Sequence, residues 1–262
     1  MKIHFRSTVR QFSLVMFSLL NMLPAYAKEE SIVTDRPDFV ESSDSVGKKH
    51  FQIETSVAYS VNHEKTISTW ATPTLLRYGI YEDLEMRFET DGYLLNKTDG
   101  MSNQSGMSDA AVGVKWHIAD QADKSPALAL LFDVALPTGA KVFRTVGMRP
   151  SVRGVVEWEL PSEIGLGIMP GVAYEKDENE QRHLEGIFGV TLSKGWTEIF
   201  RTYIEMSLPK IAKSQYGGTQ AYFDTGAALL ISRTLQLDIG LSAGLNNRSD
   251  RYIVGCGISK KF

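Results

Sequence analysis

The chain has 262 residues, 43% of them hydrophobic, and a formal net charge of −3. Its one cysteine, Cys256, excludes an internal disulfide, and the mildly acidic balance is not that of a nucleic-acid binder. After residue 27 no apolar run approaches the ~18 residues a membrane helix needs, so any membrane crossing falls to strands.

The chain opens with Lys2, Arg6 and Arg10, then an apolar stretch from Phe12 to Leu23, then Ala25-Tyr26-Ala27. That pattern predicts a secretory signal peptide over residues 1–27. The alternative, a membrane-anchor helix, needs a longer apolar run. No Cys follows the cleavage site, which argues against a lipoprotein. Removing three basic and no acidic residues takes the net charge from −3 to −6.

Residues 28–49, KEESIVTDRPDFVESSDSVGKK, are polar and carry Pro37 in their middle, so they do not read as a strand. Asp35, Arg36 and Asp38 surround that proline. Two readings stay open. One is a solvated periplasmic leader. The other is a short plug folded into a barrel, its charges paired with the wall.

From residue 50 the residues alternate in character. Strands are predicted at about 50–61, 67–80, 83–95, 106–119, 126–137 and 148–160, then at about 163–175, 182–193, 197–208, 218–232, 235–246 and 250–262. Connections after odd strands are often long and polar, as at 97–106 and 137–147. Those after even strands are mostly tight, as at 81–83 and 232–234, with 120–126 the longest exception. Twelve strands with long loops at one end and short turns at the other predict an all-β fold, a transmembrane antiparallel barrel.

Alternation alone also suits a soluble barrel, so orientation needs separate evidence. Leu84, Met86 and Phe88 share one face, and Glu85, Arg87, Glu89 and Asp91 the other. Val152, Val156, Trp158 and Leu160 likewise oppose Arg153, Glu157 and Glu159, and Phe200, Ile204, Met206 and Leu208 oppose Arg201, Tyr203 and Glu205. Phe51, Tyr78, Trp116, Trp158, Phe200 and Phe262 fall on apolar faces near the short turns, and Tyr59, Trp70, Tyr174, Phe223 and Tyr252 near the long loops. Two aromatic belts are what bilayer interfaces select. The apolar face is therefore expected to meet lipid.

The closing strand ends on Phe262, which resembles the C-terminal signal read by the barrel assembly machinery; Lys260 departs from the usual apolar alternation. The stretches TDRPDFVES, HFQIETSVAYS, PTLLRYGIYEDLEMRF, GMSDAAVGVKW, PALALLFDVALPTG and LQLDIGLSAGLN, in that order, resemble the MetA-pathway phenol-degradation family, whose members are described as outer-membrane transporters. The resemblance implies an outer-membrane barrel of a Gram-negative bacterium that passes small solutes, aromatic ones included. Expected partners are outer-membrane lipid, the assembly machinery and a small solute, with no nucleic acid and no cofactor or metal.

With the polar face inward, the wall carries Glu54, Glu85, Glu89, Asp91, Glu157, Glu159, Glu205, Asp224 and Asp238 against Arg77, Arg87, Lys115, Arg153 and Arg201. Charges in a narrow tube must pair or hold water. An open tube with this acidic excess favours cations, whereas a fully paired network holds the barrel shut. An outer-membrane enzyme, such as a lipid hydrolase, needs a nucleophile beside a base and an orienting group. His50, His63, His117 and His183 lie near no such motif, so catalysis is not expected. A structural or adhesive barrel is the remaining alternative.

Overall fold

The computed structural model describes residues 31–262 except Glu178. The predicted signal peptide, 1–27, lies outside the described residues. Among those described, fifteen strands form one antiparallel sheet: β1 (Phe51–Asn62), β2 (Ile67–Ala71), β3 (Thr74–Gly79), β4 (Leu84–Thr90), β5 (Tyr93–Thr98), β6 (Gln104–Met107), β7 (Ala110–Ala119), β8 (Ala127–Leu136), β9 (Arg149–Leu160), β10 (Ile164–Lys176), β11 (Arg182–Gly195), β12 (Phe200–Ile211), β13 (Gln220–Ser232), β14 (Leu235–Gly244) and β15 (Asp250–Lys261). β15 pairs with β1, Gln52 opposite Lys261 and Tyr59 opposite Val254, which closes the barrel.

Three predicted strands are each broken in two. β2 and β3 both lie against β1, β5 lies against β2, and β4 against β3. β6 continues on β5 while β7 lies against β4. Three pairs of half-strands and nine whole strands make twelve staves. The breaks fall at Thr72–Pro73, Asp91–Gly92 and Ser108–Asp109 and line up across the sheet. Pro73 has no N–H to give a ladder, and Gly92 sits at φ 68°, which a side chain disfavours. The fault is still bridged: Thr72 N donates to Asp91 O at 3.0 Å and Ser108 N to Gly92 O at 2.8 Å.

The outside of the barrel is apolar. Val57, Met86, Trp116 and Ile239 are each 47–55% exposed on their strands. Tyr59, Trp70 and Tyr252 cluster at the loop end, with ring centroids 4.8 and 6.4 Å apart, and Phe51 lies 6.1 Å from Phe262 at the turn end. The buried residues run the other way: Arg77, Lys115, Glu54, Glu85 and Gln52 are fully buried. A soluble barrel would bury the first set and expose the second. This inversion is that of a transmembrane barrel.

Candidate functional site: the barrel interior

The N-terminal segment, from Ile32 to Lys49, makes no strand but runs against the buried face of the wall. It enters at the turn end, where Ile32 N donates to Arg233 O at 2.7 Å. It passes to β1 through Lys49 N on Gly79 O at 2.8 Å. Irregular backbone in a confined space needs partners for its N–H and C=O groups. Wall side chains supply them. Asp35 N donates to Glu54 at 3.0 Å, Phe39 N and Val40 N to the two oxygens of Glu205 at 2.8 Å each, Ser43 N to Glu157 at 2.5 Å, and Val46 N to Glu85 at 2.8 Å. Carbonyls are met in turn: Gln52 Nε2 donates to Val33 O at 2.8 Å and Arg77 Nη2 to Asp44 O at 2.8 Å.

Asp35 is the centre of the charge network. Its carboxylate lies 2.6 Å from Arg87, 2.7 Å from Lys115 and 3.3 Å from Arg77. Burial works to raise its pKa, but Arg77, Lys115 and Arg87 outweigh that and hold it well below its usual value. Glu41 bridges Arg87 at 2.7 Å and Arg153 at 2.6 Å, and Arg153 also meets Asp133 at 2.8 Å. The wall adds Glu85 at 2.8 Å and Glu54 at 3.0 Å to Arg77.

On the opposite wall the signs reverse. Arg36 pairs with Asp238 at 3.0 Å, and Arg201 donates to Arg36 O at 3.1 Å and lies 3.9 Å from Asp38. For Asp38 burial outweighs Arg201, so its pKa is raised. Asp224 accepts from Ser207 Oγ at 2.6 Å. Thus the segment turns Asp35 and Glu41 toward the cations of β3, β4, β7 and β9, and Arg36 with two backbone N–H groups toward the carboxylates of β12 and β14.

Among the predicted wall residues, Glu54, Arg77, Glu85, Arg87, Lys115, Arg153, Glu157, Arg201, Glu205 and Asp238 meet the segment directly. Asp224 is held within the wall. Glu89, Asp91 and Glu159 make no ion pair among the described residues and line up on the same face at other levels. Glu41, Gln52 and Gln236 were missed by a reading that scored charges on strands alone. Gln52 and Gln236 share the parity of Glu54 and Asp238, so amides were legible by the same alternation. An apolar cluster inside the barrel was missed too: Val40 packs with Ala129, Leu131, Val155 and Met169, with Phe39 against them.

Two glycines make room for the segment. A Cβ on Gly189 would lie 2.7 Å from Val40 Cγ2 and 3.0 Å from Phe39 Cδ1. One on Gly257 would lie 2.8 Å from Arg36 Nε. His117 donates through Nδ1 to Ser43 O of the same segment at 2.9 Å.

Several solved structures share this fold. The COG4313 outer membrane channel from Pseudomonas putida F1 superposes with a TM-score of 0.62 at 11% identity, over 84% of this chain and 98% of that one. The NanC porin gives 0.55 at 11% identity, over 80% of this chain and 100% of that one. The KdgM porin gives 0.53 at 8% identity, over 80% and 99%. A comparison with curated protein sequences finds no match. The fold is therefore that of outer-membrane barrels. The family model described as "Putative MetA-pathway of phenol degradation" matches residues 34–262, from the TDRPDF element to the terminal phenylalanine, and the chain belongs to that family.

Proposed function

We propose that the barrel gives small solutes passive passage across the outer membrane, and that residues 32–49 stand in the route as a plug. The observation that carries this is the segment's mode of attachment. It is held by wall side chains through hydrogen bonds and ion pairs, with no strand pairing to merge it into the wall. The likeness to channels and porins supports the same reading at the level of fold.

The charged interior would then act as the selective surface once the segment moves. When Asp35 and Glu41 leave, Arg77, Arg87, Lys115 and Arg153 would lose two carboxylate partners and keep Glu54, Glu85 and Asp133, with Glu89 near Arg87 and Arg153, so that side of the girdle becomes less acidic. Carboxylates of β12 to β14 would face it. The family's association with phenol degradation favours an aromatic solute.

The test is solute flux into liposomes carrying the refolded mature protein. Asp35→Asn leaves three buried cations short of an anion, and breaking a buried pair costs about 3–5 kcal/mol. Faster flux than wild type is expected, with the folded barrel intact by its heat-modifiable mobility. Equal flux in the two proteins contradicts the plug.

A further inference from the structure

Above the segment, the inner wall recedes into a cavity of about 230 Å³. Its shape follows from the register. Glu89 lies opposite Ala111, Ala111 opposite Ala135, and Ala135 opposite Arg149. In the next row Asp133 lies opposite Ser151, Ser151 opposite Ala173, and Ala173 opposite Glu185. Small inward side chains on β7 to β10 leave space, and charged ones stand at both ends. Phe39 of the segment, Ile187 and Pro209 add apolar surface.

Most charges around this space are engaged. Arg153 is held by Glu41 at 2.6 Å and Asp133 at 2.8 Å, and Arg149 lies 3.5 Å from Glu175 and 3.7 Å from Asp109. Glu185 meets His183 at 2.8 Å and Lys210 at 2.9 Å. Glu89 is different: among the described residues its carboxylate makes neither an ion pair nor a hydrogen bond, feeling Arg153 and Arg87 only at longer range, and it is exposed to the cavity. Asp91, two positions along the chain, likewise makes no ion pair among the described residues and feels Arg149 only at longer range. A carboxylate beside apolar surface in a confined space favours a partner that brings its own positive charge.

A bare metal ion fits poorly: among the described residues no set of His, Cys, Asp and Glu converges to hold one. A hydrated ion would leave Phe39, Ile187 and the alanine row facing water. The volume is below the ~300–1,000 Å³ of drug-sized pockets, so the occupant is compact.

We infer that this cavity binds a small organic cation, an ammonium group on a compact apolar body, with Glu89 receiving the ammonium and Phe39, Ile187 and Pro209 receiving the body. The inference rests on the channel reading in that it names a class of solute for the same interior.

The experiment is calorimetric titration of the full mature protein in detergent with 2-phenylethylammonium, 2-phenylethanol and phenylacetate. Saturable binding of the amine is expected, with the alcohol and the acid at least about tenfold weaker, since charge-assisted bonds are worth roughly that much. Glu89→Gln should weaken the amine by a similar factor and leave the alcohol unchanged. Ala135→Leu, which alters no charge, should abolish binding by filling the cavity, and serves as the test should the first variant fold poorly. No binding to the folded wild type, equal affinity for amine and alcohol, or amine binding untouched by both variants would overturn the inference. Conductance measured on the same preparation separates the readings. Current without amine binding removes only the cation site. Amine binding with no conductance, even after loss of residues 28–49, removes only the channel.

Discussion

Asp35 is the carboxylate of the segment that ties it to the cations of three neighbouring strands. Three cations converge on it, and its depressed pKa gives the seating of the segment a pH dependence. The ionised carboxylate stabilises fully above its ordinary pKa of 3.8, and the contribution is lost only as pH falls through the lower folded value. Wild type and Asp35→Asn should therefore differ in flux at pH 7 and at pH 5, and converge only in stronger acid. A difference that vanishes already near pH 5 would contradict the assignment. Glu205 offers an independent test, because both of its oxygens accept backbone N–H groups of the segment. Glu205→Gln replaces one acceptor oxygen by a donor, and leaving a buried backbone N–H without its acceptor costs about 1–3 kcal/mol. Faster proteolysis between residues 32 and 49, with the barrel itself resistant, is the expected readout. Asp35, Arg36 and Asp38 were legible as a charged cluster around Pro37. Their partners were not, because contacts between positions such as Asp35 and Lys115 leave no periodic mark in a sequence.

The strands repeat the same lesson with a different balance. Period-2 alternation placed the staves and their two faces, since each inward or outward position is fixed by the pleat. The shared fault at Pro73, Gly92 and Ser108 was read through, because a proline or glycine marks a weak point in a strand without saying how the two halves pair, and only the aligned register shows the break. β12 also runs to Ile211, beyond the predicted 208, since Lys210 still pairs with Gln220. Gly189 on β11 is cut to the segment's shape. Gly189→Val should push Phe39 and Val40 off the wall and raise flux without slowing assembly; unchanged flux would show that the segment has another way past. On the outer face, Ile239→Arg on β14 should destabilise the barrel in lipid by about 2–4 kcal/mol, as charge at mid-bilayer does. A neutral effect in urea unfolding from liposomes would place that face away from the hydrocarbon.

The whole molecule is an inside-out protein in its wall and an ordinary one at its centre. Outside, the exposed side chains are apolar; inside, buried ion pairs and a small apolar cluster around Val40 fix the segment. Composition hid this, because a chain with a net charge of −3 gives no sign that its charges are sorted to one face. Parity showed the sorting, and inward positions such as Leu131 and Met169 show where parity of charges alone fell short: a plugged interior also needs apolar contacts. The proposed plug gives this interior two states, one with the segment seated and one with Arg77, Arg87, Lys115 and Arg153 partly freed. The most direct measurement is single-channel conductance in a planar bilayer, comparing the refolded mature protein with one lacking residues 28–49. A clear increase in conductance on deletion, with both proteins heat-modifiable, is the predicted result. Identical conductance in two folded barrels, or none in either, would contradict a route that the segment closes.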